Sequence, residues 1–432
     1  MKKIFIVIFI GFYILANAQD NTIYYWENGN KKSEGNLIND KEEGLWTYYY
    51  TNGQKAMQGN FAQGQKIGQW QAWYKSGKLQ SEYYPQTGIL KSWYESGEKE
   101  SIGYFKDYQK DSSWTFYYTN GQESKTCTYQ NDLIEGFCKE YHPNGQLAFI
   151  GNYIHGEIEG EATWYYSNGK LEMQGNLTAG KQNGKWLFYY NNGQLGSSGN
   201  FVNGIQDGTW IYYYETGEKW KQGDFKAGKR TGTWTAWFES GKKQREGSFV
   251  DNKEDGLWTS WYESGKKETE GYFCNGKMCN TWKGWFSSGL LSYKTDYLKN
   301  LRNGQHISYW PTGKIKEKGA FQKDEKQGFW ESFSELGLPL NKGKYNIDKR
   351  SGIWEFYDRK GNIQRKQSFS NNLPNGKWIE YFPNGNKQNE GQYKNMEKTG
   401  TWSSYKENGE VYYRVKYQKG HIAKTVIDKT KK

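Results

Sequence analysis

The residues that could do chemistry in this chain are few. There are four histidines, His142, His155, His306 and His421, and four cysteines, Cys127, Cys138, Cys274 and Cys279. No histidine has a serine or carboxylate at a spacing that repeats, so neither a nucleophile–base pair nor a metal-ligand set is suggested. Solvent exposure is the expectation for all four. The glycines do not match the GxxxxGK[ST] loop or a dinucleotide fingerprint. Carboxylate pairs such as Glu42–Glu43 and Glu268 with Glu270 are what charged hairpin edges produce, and general acid–base work needs more than proximity. Catalysis, a bound metal and a cofactor are therefore not expected, and the chain reads as a non-enzyme.

The glycines instead mark a period. Glycine recurs every 24 residues from Gly97 to Gly409, and Gly29, Gly53 and Gly77 keep the same step upstream. One shortened unit, near residues 78–97, separates the two runs. A period of this size is the mark of a repeat array rather than of a single globular core.

With the phase glycine as position zero, each position has a chemical character. Position −1 is usually Asn, Ser or Thr, and position −4 is aromatic in every unit, from Tyr25 and Tyr49 to Tyr405. Position −7 is usually Trp: Trp46, Trp70, Trp186, Trp210, Trp234, Trp258, Trp354 and Trp402 are examples. Positions −9 and +6 are mostly Gly, +8 is Phe or Tyr, and +11 is Gly, Asn or Asp. Two turn signals per unit, each flanked by short aromatic runs, predict two strands per repeat. The fold class is therefore all-β, an elongated antiparallel meander of about 17 tandem 24-residue β-hairpins. An even register would set every −7 Trp opposite glycine on both neighbouring strands, and every +8 Phe likewise. Pro143, Pro311 and Pro383 at position −2 argue instead for a type I turn with the glycine left-handed, which adds a bulge.

The cysteines fit the second turn. Cys127 with Cys138, and Cys274 with Cys279, are symmetric about equivalent points six repeats apart. Four cysteines allow three connectivities, and cross-strand symmetry selects Cys127–Cys138 and Cys274–Cys279.

Residues 1–18 stand outside the period. Lys2 and Lys3, an apolar run from Ile4 to Leu15, and Ala16-Asn17-Ala18 have the layout of a secretory signal peptide. Export would supply an oxidising compartment for the disulfides. The repeat array then occupies residues 19–417, and residues 418–432 form a basic C-terminal tail. The formal net charge of +12 is spread along the chain. Dispersed Lys and Glu on a sheet chiefly keep it soluble and discourage edge pairing.

The run Gly199-Asn-Phe201-x-x-Gly204-x-x-x-Gly208-x-Trp210-x-x-Tyr213-Tyr214-x-x-Gly217 resembles the MORN repeat, specifically the bacterial MORN-repeat variant. The same string recurs at Phe61 to Trp70 and at Phe225 to Trp234, and the resemblance covers about residues 22–417. It departs locally in the short unit and where position −7 is Cys138, Ala162 or His306. The resemblance implies a sheet of hairpins acting as a scaffold or binding surface, with links in some members to membranes and in others to protein assembly. Variant-family proteins of bacteria are often labelled antitoxin components of toxin–antitoxin systems, a role at odds with export.

Alternation sets the −4 row on the face opposite the −7 tryptophans. Tyr165, Tyr189, Tyr213, Trp237, Trp261, Trp285 and Tyr309 would form an aromatic ladder among polar neighbours, widened locally by Trp220. Such a ladder either packs along the sheet or contacts a ligand. The expected function is an exported, non-enzymatic scaffold for protein or cell-envelope interactions. Alternatives are a glycan or envelope-polymer binder using the ladder, a peripheral binder of anionic lipid, and an antitoxin-like component. Nucleic acid is not an expected partner, and the sequence is silent on oligomeric state.

Overall fold

The computed structural model describes residues 21–429; residues 1–18, read above as a signal peptide, lie outside them. Among the described residues there are thirty-six strands and no helix. The chain divides into two units, residues up to Gln194 with Phe201–Gly204, and Leu195–Asn200 with Ile205 onward. Within each unit consecutive strands pair antiparallel, so the backbone is a hairpin meander as the two-turn repeat requires.

The phase turn is built from its residue types. Gly53 N–H donates to the Tyr50 carbonyl at 2.9 Å, and Tyr50 N–H donates to the Gln54 carbonyl at 2.8 Å. Gly53 has φ +86°, which only glycine adopts without strain, and the register slips by one residue beside it, between Tyr48 and Tyr49. This is the type I turn with a glycine bulge that the −2 prolines imply. Asn at −1 does more than favour the turn. Asn120 and Asn144 donate from their amides to the carbonyls of Pro143 and Ser167, one repeat on, at 2.7 and 2.6 Å. The second turn is a two-residue loop with both residues left-handed, as at Asn39 (φ 51°) and Asp40 (φ 59°). That is the turn whose twist matches a hairpin.

The register departs from the even pairing in one respect. Trp46 does face Gly59, and Gly44 faces Phe61. On its other side, however, Phe61 faces Lys66 and not Gly68, because the ladder slips between Gln58 and Asn60. The −9 glycines make this slip. Gly68 has φ +64°, and the two exceptions at this position among the described residues, Ser112 and Asn280, also have positive φ of 58° and 56°. Position −9 is therefore glycine for its backbone conformation, and not to receive a ring.

The shortened unit keeps its strands but trims them to Leu79–Tyr84 and Ile89–Trp93. Gln86 restores one bond that the trimmed strand would have made, accepting from Gly68 N–H at 3.0 Å. At the other end, the residues read as a basic tail contribute a further strand, His421–Asp428, paired with Val411–Gln418.

Candidate functional site

The −7 face carries the core. Eight of its tryptophans, Trp46, Trp70, Trp186, Trp210, Trp234, Trp258, Trp354 and Trp402, are at most 7% exposed although no second layer covers them within either unit. Each indole lies over the +6 glycine of the preceding strand, where a β-carbon would overlap the ring. Its N–H donates to the next carbonyl, as from Trp46 to Asn36 at 3.1 Å and from Trp354 to Lys344 at 3.0 Å. The +8 ring meets it edge-on, with Phe61 and Trp70 centroids 4.8 Å apart at 83°. A cation at −11 closes the stack in several units: Lys326 Nζ sits 3.9 Å from the Trp330 ring and Lys398 Nζ 4.4 Å from Trp402. Burial of a large side chain, worth about 1.5–3 kcal/mol, is thus reached in a thin sheet by stacking ring, backbone and cation.

Where the Trp–Gly pair is absent, something replaces it. Cys127 faces Cys138 at these same two positions and the structure joins them as a disulfide; Cys274 and Cys279 are also joined, but beside an intact Trp282–Gly271 pair, with Cys274 facing Lys277 and Cys279 facing Tyr272. Ala162 faces Gly175 and leaves room that Phe149 and Trp164 fill, their centroids 5.0 Å apart. His306 faces Thr295, with Nδ1 2.7 Å from Oγ1. The histidines are not uniformly exposed. His155 is 86% exposed, whereas His306 is 12% exposed and its burial lowers the imidazole pKa, with the Glu317 carboxylate opposing. His142 holds the Tyr165 carbonyl at 2.7 Å.

The −4 residues occupy the opposite face. Tyr165, Tyr189, Tyr213, Trp237, Trp261, Trp285 and Tyr309 are all half-buried. Lysines at +2 lie against the tryptophans: Lys219, Lys243 and Lys267 sit 5.9, 5.8 and 5.7 Å from the ring centroids of Trp237, Trp261 and Trp285. Lys243 also pairs with Glu246 at 2.7 Å. Tyr49 and Tyr405 donate their hydroxyls to Glu34 and Glu390. The ladder is thus interleaved with alternating charge. Trp220 is not part of it. Its ring packs on Tyr212 and Tyr214, 6.4 and 6.2 Å away, on the Trp210 side, because the phase-turn bulge carries position +3 to that face.

A row the sequence reading missed lies at −3. Tyr166, Tyr214 and Tyr262 donate their hydroxyls to the carbonyls of Tyr189, Trp237 and Trp285, one repeat on, at 2.7, 2.8 and 2.7 Å. The recurring aromatic doublet at −4 and −3 was the available signal. The −4 residues are thereby fixed through their own backbone.

Around His306 the −7 face opens into a depression of about 440 Å³, lined by Tyr293, Thr295, Tyr297, Ser308 and Glu317 among others. Glu317 pairs with Lys326 at 2.8 Å, and Arg302 pairs with Asp324 at 3.0 Å.

Among solved structures, the chain is similar to the TcdB2-TccC3-Cdc42 crystal structure, with 11% identity over 93% of this chain and 26% of that one, at a TM-score of 0.15. It is similar also to a Photorhabdus luminescens Tc holotoxin pore, with 10% identity over 94% and 26%, at a TM-score of 0.14. The chain thus spans about a quarter of those chains, and such TM-scores say nothing of shared activity. No curated protein matches the chain. The model of the MORN repeat variant matches at residues 42–63, 66–84, 86–107, 135–155, 158–178, 182–203, 206–227, 230–251, 254–275, 302–323, 350–371 and 374–395. With the Trp-on-Gly stack and two-turn hairpin recurring through those segments, the chain belongs to the MORN repeat variant family.

Proposed function

We propose that this protein is an exported, non-enzymatic scaffold whose −4 face receives an extended protein partner. The observation that carries the reading is the interleaving of half-buried rings with lysines and carboxylates at a fixed step on that face. Rings with charges at their margins suit protein contact, where aromatic anchors and charge pairs combine. Sugar stacking on the same ladder is disfavoured, since Lys219, Lys243 and Lys267 already stand by the faces of Trp237, Trp261 and Trp285. Anionic lipid is disfavoured because Glu246, Glu270 and Glu390 are interspersed with the lysines. Export rests on the Lys2-Lys3, apolar run and Ala16-Asn17-Ala18 layout, and it weighs against a cytoplasmic antitoxin role.

The test is a pull-down with residues 19–432 against cell protein extract, envelope polysaccharide and anionic liposomes, at low and high salt. A discrete protein, retained by wild type and lost when Trp237, Trp261 and Trp285 are changed to Ser, is the expected result. Salt-resistant polysaccharide retention lost in the same variant would overturn the reading in favour of a glycan ladder. Liposome retention abolished by salt would overturn it in favour of a lipid role.

A further inference from the structure

We infer that the depression around His306 is a binding site for a single neutral sugar ring. It lies chiefly on the −7 face; of the −4 ladder Tyr309 alone reaches its lining, so it does not rest on Trp237, Trp261 and Trp285.

The site arises from two departures at one place. Elsewhere the −7 indole lies on the +6 glycine and fills the face. Here both members change together, to His306 and Thr295, which face one another and bond at 2.7 Å. An imidazole is smaller than an indole, and it sits against Phe321 and Trp330, with centroids 5.1 and 5.8 Å away. The volume the indole would have taken is left open on the other side. The resulting depression, about 440 Å³, falls within the roughly 300–1,000 Å³ typical of small-ligand sites.

Its lining joins rings to hydroxyls. Tyr293 and Tyr297 are half-buried beside it, and their hydroxyls, like that of Ser308, make no hydrogen bond among the described residues. Aromatic faces beside groups that both donate and accept are what a pyranose needs, since it presents apolar C–H patches and a belt of hydroxyls. The imidazole Nε2, donor or acceptor according to its tautomer, and the accepting Glu317 carboxylate stand 3.8 Å apart and add polar groups to the lining. Two of the charges at the site are paired, Glu317 with Lys326 and Arg302 with Asp324, and the one left over, Lys316, is held 4.7 Å over the Trp310 ring. Burying a ligand charge without a dedicated partner is costly, so the expected ligand is neutral.

Saturation-transfer NMR on the full chain decides the matter, with D-glucose, D-galactose, N-acetylglucosamine and D-glucuronate as probes. Transfer to at least one neutral sugar is expected, saturating at millimolar concentration. The double variant His306→Trp/Thr295→Gly rebuilds the stack used elsewhere in the array, so it should fold and should lose the signal. Tyr297→Phe with Ser308→Ala keeps the rings and removes two hydroxyls; several-fold weaker binding is expected, and it decides the case if the first variant does not fold. No transfer to any neutral sugar, transfer to glucuronate alone, or undiminished transfer in these variants would overturn the assignment.

Discussion

The indole of Trp186 lies over Gly175, its direct partner on the adjacent strand, and its N–H donates to the Asn176 carbonyl at 3.1 Å. One side chain thereby covers a neighbour's backbone and takes up a carbonyl at the point where the register slips, between Gly175 and Asn176. The same relationship in other repeats makes it the cohesive unit of the sheet.

Gly175→Ala is expected to destabilise the protein by about 1–3 kcal/mol, the usual cost of overfilling a packed site. Urea unfolding measures it. In a double-mutant cycle with Trp186→Ala the two losses should be strongly non-additive, since both act on one contact. Additive losses would separate the glycine from the ring.

Gly184 tests the other reason for glycine. It has φ +70° and open space where a β-carbon would go, so only the backbone objects to a side chain. Gly184→Ala should cost about 1–2 kcal/mol. Gly184→Asn should cost less, because Asn280 holds the same position with φ 56°. Equal urea midpoints for Ala and wild type would refute the backbone explanation.

Glu355 sets an acid limb. Burial would raise its pKa, but hydrogen bonds from Tyr357, Lys366 and Lys342 outweigh this and hold it down to about 2. A depressed carboxylate stabilises the fold above its unfolded pKa, and that contribution is lost as pH falls from about 4.5 towards 2. Glu355→Gln should lower the melting temperature at neutral pH and flatten its fall in that acid window. A parallel curve displaced at every pH would show that the charge is not responsible.

The Cys127–Cys138 disulfide spans a sequence separation of 11. Cys127→Ser/Cys138→Ser should cost on the order of 2–4 kcal/mol. Cys127→Gly/Cys138→Trp, which installs the neighbouring repeats' pair, should recover part of that loss. Thermal melts of the two variants compare them; no recovery would mean that the stack does not transfer between repeats.

Deleting one whole repeat, residues 230–253, should leave a cooperative fold, because contacts join consecutive strands or equivalent turns one repeat apart, and each stub finds an equivalent partner. Deleting ten residues, 230–239, should be far more damaging, since it breaks the strand alternation. Circular dichroism melts distinguish the two, and loss of folding in the clean deletion would refute nearest-neighbour stability.

Much of this protein is settled by its one-dimensional period. The 24-residue step, the turn at each phase glycine, the cross-strand match of Cys127 to Cys138 and the opposition of Trp46 to Gly59 all follow from local turn chemistry and strand alternation, which act over a few residues. The conformation at Gly68 does not follow in that way. Gly59 and Gly68 are the same letter, yet one is needed for space and the other for φ, and only the folded register separates them. The −3 hydroxyls were half hidden: the aromatic doublet marks their row, but Tyr166 meets the Tyr189 carbonyl only once the intervening strand, Leu171–Thr178, has brought the two turns together. The depression at His306 was hidden for a related reason: one altered residue in a row reads as a lapse until its partner Thr295, eleven residues away in the chain, is seen to have altered with it. Sequence fixes what lies next along the chain, whereas the placement of strand beside strand decides which residues share a volume.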